Sequence, residues 1–392
     1  MNQVISRTKG ILLFSLPVAL LLSLWFFNKG QDRTEHFPAI IPESPKEVTL
    51  LFAGDAMQHQ SQLDNAFGNG KYDYSSYFQY VKQEISSADV AVVNLEVTLG
   101  GKPYKGYPMF SAPDEYAVAL KEAGFDVFLT ANNHCLDRHS KGLERTIDVL
   151  DSLQVRYTGT FKNEEERARF YPMMLTKNDI RMAFLNYTYD TNGLEVKAPN
   201  VVNYIDTNVI KKDIQRAKEL DPDIIIANMH WGDEYKLVQN KEQERLARLL
   251  AREGADLIIG SHPHVVQPSK VVRDSTGNIS RVIVYSLGNF ISGMKTPNTV
   301  GGQLIKIKLT KDAYKTRINS CSYSLVYVYK KEKEGKTDFT LVPVSRADKR
   351  DSLAIHPLIE LPPAAYDPMI KFTDTSRKLF EKYNEGVEEY RF

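Results

Sequence analysis

Gly260-Ser261-His262-Pro263-His264-Val265-Val266-Gln267-Pro268 follows the apolar run Asp256-Leu257-Ile258-Ile259. The run is β-branched and bounded by turn residues, so it reads as a short buried strand leaving its sheet at Gly260. Two of the chain's eight histidines therefore stand one residue apart at a strand end. In extended backbone, side chains at i and i+2 share a side, and Pro263 fixes its own φ near about −65°. Both imidazoles are then expected to face one small volume. Neutral imidazole is the commonest protein ligand for divalent transition metals, so the stretch reads as half of a metal site, against the plainer alternative of a surface turn with two solvated rings.

The rest of the chain repeats this pattern. Val48-Thr49-Leu50-Leu51-Phe52 ends in Ala53-Gly54-Asp55-Ala56-Met57-Gln58-His59; Val90-Ala91-Val92-Val93 ends in Asn94-Leu95-Glu96. Phe125 to Leu129 leads to Asn132-Asn133-His134-Cys135-Leu136-Asp137, Ile224 to Ala227 to Asn228-Met229-His230-Trp231-Gly232-Asp233-Glu234, and Val282 to Tyr285 to Ser286-Leu287-Gly288-Asn289. Helical segments at Tyr77 to Ser87, Asp114 to Ala123, Gly142 to Leu153, Val209 to Leu220 and Lys241 to Glu253 separate the strands, with further strands near Tyr171 to Leu175 and Met182 to Asn186. The alternation predicts an α/β layered domain with much parallel sheet, whose wholly apolar strands are covered on both faces. In such sheets the ligand site lies at the carboxyl ends of the strands, so the six polar clusters are expected to converge.

Asp55, Glu96, Asn133, His230, His262 and His264 would bring two carboxylates, an amide oxygen and three imidazoles. That mixture suits Mn²⁺, Zn²⁺ or Fe²⁺ better than Ca²⁺, as one ion or as two sharing a carboxylate. His134 would stand beside them as a proton donor, with Asp137 either orienting its imidazole or capping the next helix. His59 is a candidate phosphate or carboxylate contact, Trp231 an apolar or sugar-stacking surface, and Glu234 and Asn289 further substrate contacts, although a Gly-Asn pair is also ordinary turn chemistry. His36, His139 and His356 read as solvated.

The 392 residues, 42% hydrophobic and 25% charged, describe an ordinary globular chain, and the net charge of +1 gives no reason to expect nucleic acid as a partner. Two cysteines, Cys135 and Cys321, are too few for a disulfide framework, and spacing does not say whether they pair. Ile11 to Phe27 is a near-continuous apolar run behind Arg7 and Lys9. As a helix at ~1.5 Å per residue it reaches about 25 Å, nearly the hydrocarbon thickness. With no small-residue cleavage site after it, residues 1–28 read as a cytoplasmic tip and uncleaved signal anchor, a cleaved signal peptide being the alternative. Either places the main domain outside the cytoplasm. Residues 29–46 have linker composition, 47–345 form the expected domain, and 346–392 an extension with an amphipathic helix over Tyr366 to Tyr390.

Gly54-Asp55-x-Met57, Asn94-Leu95-Glu96, Ala131-Asn132-Asn133-His134-x-x-Asp137, His230-Trp231-Gly232-x-Glu234-Tyr235, Gly260-x-His262-Pro263-His264-Val265-x-Gln267-Pro268 and Ser286-Leu287-Gly288-Asn289-Phe290 together resemble the motif series of the bacterial CapA capsule-synthesis family. The resemblance implies a role in making or exporting poly-γ-glutamate or a similar anionic surface polymer, a single-pass anchor at residues 11–27, and polytopic synthesis subunits as partners. That family is in turn similar to calcineurin-like metallophosphoesterases, which implies a four-layer α-β-β-α sandwich. Carried over, Asp55 and His264 would bind a first metal, Asn133, His230 and His262 a second, Glu96 would bridge and His134 would act as acid. The first phosphoesterase motif has Met57 where an imidazole is expected, and Asn94-Leu95-Glu96 replaces Gly-Asp-x-x-Asp. A single metal or an altered pair would therefore fit. Catalysis by a hydrolase or transferase and a non-catalytic binding or assembly role both follow from such a set.

Overall fold

Side-chain parity along the strands decides the architecture. A computed structural model describes residues 44–333 and 336–392. In its first half, Arg156–Thr158, Val127–Leu129, Val90–Leu95 and Lys46–Ala56 run parallel in that order; in its second, Ile279–Val284, Leu257–Ser261, Ile224–His230 and Ile180–Thr188 do the same, with Met173–Lys177 antiparallel at the edge. Val48, Leu50, Phe52, Val90, Val92, Val127 and Leu129 share one apolar cluster with Met182, Phe184, Ile224, Ile226, Leu257, Ile259, Val282 and Val284. The alternate residues face away. Leu51, Ala53, Ala91, Val93 and Phe128 meet Tyr116 and Leu120 of the helix Asp114–Ala123, while Ala183, Leu185, Ile225, Ala227 and Ile258 meet Ile214 of Thr207–Glu219 and Leu246 and Leu250 of Lys241–Glu253. Two sheet halves thus face each other across one core, each with helices outside. Burying each such aliphatic side chain contributes about 1.5–3 kcal/mol.

The helices begin and end on local chemistry. Asn240 caps Lys241–Glu253 through a capping box: its side chain accepts from the Gln243 amide at 2.8 Å, and Gln243 Oε1 accepts from the Asn240 amide at 2.9 Å. Leu246, Leu249 and Leu250 form the buried stripe, and Gly254 at φ 112° closes the helix. Asp206 caps Thr207–Glu219 by accepting from the Asn208 and Val209 amides.

The long strand Thr316–Lys333 joins the halves, pairing with Gly301–Lys311, Lys336–Pro343 and the end of Ile279–Val284. The expected carboxy-terminal helix is present at Pro363–Tyr383, with Met369, Phe372, Leu379 and Phe380 in the shared core. It stops at Tyr383 rather than Tyr390. Gly386 at φ 70° turns the chain, and Glu388–Glu389 pairs in parallel with Ser322 and Tyr323 of the long strand. The described residues are therefore one compact unit. Arg377 fastens this end, lying 3.3 Å from Asp348, 3.0 Å from Asp351 and 2.8 Å from Glu389. Arg377→Ala takes one guanidinium from three carboxylates at once, although Asp348, 1% exposed, keeps Arg350 at 3.1 Å and Asp351 keeps Arg391 at 3.0 Å. A loss of about 1–2 kcal/mol in urea unfolding is expected, with any catalytic readout unchanged.

Cys135 and Cys321 are separate, buried free thiols, each pushed by burial up to about 12. The apolar run 11–27 and the linker to residue 43 lie outside the described residues, among which no helix is long and apolar enough to cross a membrane.

Candidate metal centre

Asp55 leaves its strand beside Asn94 of the neighbouring strand, and two residues later the chain delivers Glu96. Gly54 is needed here: a Cβ would come 1.9 Å from the Gly288 carbonyl oxygen, which accepts the Asp55 amide at 3.0 Å. Both carboxylates are 0% exposed. Asn94 Nδ2 lies between them, donating to Asp55 Oδ1 at 2.8 Å and Glu96 Oε2 at 3.2 Å. Burial and the nearby Asp55 charge hold the Glu96 carboxyl well above its ordinary range. Burial acts on Asp55 in the same direction, but hydrogen bonding and charge from His264, with Asn94 behind them, outweigh it and keep Asp55 ionised. Two buried carboxylates on one amide, one pushed up and the other held down, carry the electrostatic signature of groups gathered for a positive guest.

The imidazoles arrive from the other sheet half. His230, the last residue of its strand, has Nε2 2.8 Å from Asn133 Oδ1 and 3.6 Å from Glu96 Oε1. His264 has Nδ1 3.0 Å from Asp55 Oδ2 and 3.1 Å from Asn289 Oδ1, with Nε2 3.8 Å from Glu96 Oε1. The His262 and His264 rings are 5.9 Å apart, and His262 lies 4.8 Å from the His230 ring. The two histidines do converge, though not by extended backbone. His262 has φ 99° and His264 φ 58°, left-handed values on either side of Pro263, so a strained turn aims the rings. Such residues cost on the order of 1–3 kcal/mol each and persist where surrounding contacts hold them. Here the His262 amide faces both Asp55 oxygens at 3.4 Å.

Glu96 Oε1 and His262 Nδ1 are buried with no hydrogen-bond partner. Buried polar atoms are rarely left so, and these two adjoin further donors. Glu96, His230 and His262 offer atoms within 4.8 Å of one another, as do Asp55, Glu96 and His264, with Glu96 common to both groups. The mixed nitrogen and oxygen set fits a divalent transition metal. Burial and the neighbouring imidazoles push His230 far below the ordinary histidine value and His262 down to about 3, so both are neutral, the form that ligates. The sign follows directly. The unfolded chain binds these protons below pH ~6.5 and the folded chain does not, so the histidines make the metal-free protein lose stability as pH falls from there toward 3. Glu96, raised when folded, has the opposite sign above its ordinary value. Urea midpoints between pH 7.5 and 5 for the parent and His262→Leu isolate the histidine part: the decline is expected to be shallower in the variant.

His134 Nδ1 lies 2.8 Å from Asp137 Oδ2, which also accepts the Phe110 amide at 2.7 Å. Asp137 therefore orients the imidazole; the following helix, His139–Ser152, has Arg138 at its cap position and no side-chain cap. The ring of His134 packs on Phe110 at 4.7 Å, and His59 meets the same ring at 5.3 Å. His59 Nδ1 accepts the Gly293 amide at 3.1 Å, and burial lowers its pKa to about 4.

Two expected substrate contacts, Trp231 and Asn289, are placed differently, while Glu234 lies at the centre's exposed edge. Trp231 is 1% exposed, donates Nε1 to the Tyr285 carbonyl at 2.9 Å and lies in the core under the outer helices, offering no stacking surface. Asn289 is fully buried, with Oδ1 on His264 and Nδ2 donating to the Thr299 carbonyl at 2.9 Å, so it orients a ring. Glu234 is exposed, with a carboxylate oxygen within 4.8 Å of ring nitrogens of His262 and His264.

Residues not singled out from the sequence also enter. Besides Asn94, Tyr189 lays its ring 4.5 Å from His262, and Asn192 accepts from Asn133 Nδ2 at 3.2 Å. Both follow the strand Ile180–Thr188, a seventh carboxyl end to which the same rule applies.

Residues 49–294 match the family model described as bacterial capsule synthesis protein PGA_cap. The chain is 28% identical over 316 residues to the capsule biosynthesis protein CapA of Bacillus anthracis, covering 77% of this chain and 72% of that one. It is likewise 28% identical over 317 residues to the PGA biosynthesis protein CapA of Bacillus subtilis, covering 78% of each. Among solved structures, the calcineurin-like phosphoesterase YfkN of Bacillus subtilis aligns with a TM-score of 0.40 at 12% identity, over 86% of this chain and 100% of that one. With 246 of 392 residues inside the matched region (49 to 294), the chain belongs to the bacterial capsule synthesis protein family PGA_cap.

Proposed function

We propose that this capsule synthesis protein is a metal-dependent hydrolase or transferase. It acts outside the cytoplasm on an anionic surface polymer or its precursor, held at the membrane by residues 11–27 beside polytopic synthesis subunits. The observation that carries the catalytic reading is the unpartnered Glu96 oxygen shared by two groups of neutral imidazole and carboxylate donors. Asp55, Glu96, His230, His262 and His264 would hold one or two divalent ions, Mn²⁺, Zn²⁺ or Fe²⁺, with Asn133 beside His230. A bound ion supplies Lewis acidity, polarising the substrate oxygen and acidifying water.

The chain's own groups do the rest. Asn94 fixes both carboxylates, Asn133 and Asn289 fix the rings of His230 and His264, and Asp137 holds the proton on His134 Nδ1. Protonated His134 would then donate from Nε2 to a departing oxygen or nitrogen, its positive charge supported by Asp137. Phosphoester and γ-glutamyl bonds are both open to this arrangement.

A non-catalytic polymer-binding or assembly role is the second reading, favoured by the burial of the imidazoles, 1% to 4% exposed. Purified full-length chain separates the two. Metal is counted by mass spectrometry and turnover followed on bis(p-nitrophenyl) phosphate and γ-glutamyl-p-nitroanilide with added Mn²⁺ or Zn²⁺. Bound metal with turnover that a chelator removes is expected; bound metal with no turnover on polymer fragments or either probe would move the assignment to the binding role.

A further inference from the structure

Two buried groups offer three donors each, Glu96, His230 and His262 on one side and Asp55, Glu96 and His264 on the other, with the Asn133 and Asn289 oxygens set against the rings of His230 and His264. Met57, two residues beyond Asp55, adds none, since it is 2% exposed within the apolar layer toward the outer helices.

Glu234 supplies a further carboxylate beside the two histidines of the His-Pro-His stretch. Its oxygen, with ring nitrogens of His262 and His264, forms a third group whose members lie within 4.8 Å of one another. The turn that carries it is pinned on both sides. Tyr235, at φ 66°, donates its amide to the Pro263 carbonyl at 2.9 Å, tying the turn to the His-Pro-His stretch. Asp233 Oδ2 accepts from Asn240 Nδ2 at 2.8 Å, and Gly232 at φ 92° lies where a Cβ would come 2.7 Å from the Gln243 side chain. Glu234 has no lysine or arginine partner among the described residues. His262, a member of the same group, has a buried Nδ1 with no hydrogen-bond partner.

We infer that Glu234 is a metal ligand, the solvent-side carboxylate that joins His262 and His264 at the exposed edge of the centre. This rests on the metal-dependent reading above and deepens it. Three carboxylates against two divalent cations leave a net charge of +1 on the centre, which suits an anionic substrate, and the exposed ligand is the one that can yield its position as substrate enters.

The test is calorimetric titration of full-length, metal-stripped protein with Mn²⁺ and separately Zn²⁺, with ions per chain counted by mass spectrometry. Parent, Glu234→Gln and Glu234→Asp are compared, with circular dichroism and the metal-free melting temperature checking that the fold is intact. The weaker-bound ion of the parent is expected to lose affinity about tenfold or more in Glu234→Gln. Glu234→Asp should lose a comparable amount, because it keeps the charge and withdraws the oxygen by one methylene. Unchanged affinity and stoichiometry in Glu234→Gln would overturn the inference while leaving the metal-dependent reading intact, as would full retention in Glu234→Asp, which would reduce the role to charge. A parent that binds no ion overturns both.

Discussion

Glu96→Gln is expected to abolish metal binding and to lower turnover by more than about 10³-fold, the largest effect of any single substitution in the centre. Glu96 is the one residue common to both buried donor groups, so its loss acts on both sides at once. Glutamine keeps the volume and still accepts from Asn94 Nδ2, so packing is preserved. The stability effect has the opposite sign. In the metal-free parent near pH 7, Glu96 is buried beside ionised Asp55 with its carboxyl held well above its ordinary value, a state that favours the unfolded chain, where the group ionises freely. Metal-free Glu96→Gln should therefore melt at or above the metal-free parent. Adding Mn²⁺ then reverses the order, because a ligand at 1,000 times its dissociation constant stabilises by about 4 kcal/mol and only the parent can bind it. Melting curves with and without Mn²⁺ check both halves. A variant that kept the metal-induced shift would remove Glu96 from the centre.

Much of this site is written in strand parity. In Ile224–His230 the even residues Ile224 and Ile226 face the shared core and lead to His230, while the odd residues Ile225, Ala227 and Met229 face the helices and lead to Trp231. The indole therefore belongs to the outer layer, where the alternation alone places it. The same count makes Asn94 legible: it continues the row of Val90 and Val92 and precedes Glu96 on the same face. Asp55 breaks the count. By alternation it would join Leu51 and Ala53 on the helix side, but the pairing register slips between Ala53 and Asp55 and turns the carboxylate inward. A bulge of that kind leaves no mark in the local hydrophobic pattern.

Other features were beyond sequence for identifiable reasons. His262 and His264 occupy left-handed backbone that non-glycine residues adopt only where tertiary contacts impose it, and those contacts come from Asp55, over two hundred positions earlier in the chain. The carboxy-terminal helix was legible by its apolar stripe, but its last turn yields to an edge-strand pairing with Ser322 and Tyr323, whose gain in backbone hydrogen bonds no helical periodicity anticipates. The convergence of six carboxyl-end clusters followed from topology alone, since every contributing strand runs parallel to at least one neighbour that carries another of the clusters.

His134→Ala separates chemistry from metal binding. His134 lies outside all three groups of candidate ligands, so the ions should stay, with stoichiometry and affinity as in the parent. Turnover is expected to fall by about 10²–10⁴-fold, the usual range for a positioned proton donor. The loss should depend on the leaving group. A p-nitrophenolate departs with little protonation, whereas a phenolate or an alkoxide needs the proton in the transition state, so the phenyl ester should lose more than the p-nitrophenyl ester. Asp137→Asn belongs to the same series. It removes the charge that supports the imidazolium while an amide oxygen can still accept from Nδ1 and from the Phe110 amide, so an intermediate loss with the same leaving-group trend is expected. Unchanged turnover in His134→Ala on both esters would leave the dyad as packing against Phe110, and a loss of metal in that variant would make His134 part of the binding site instead.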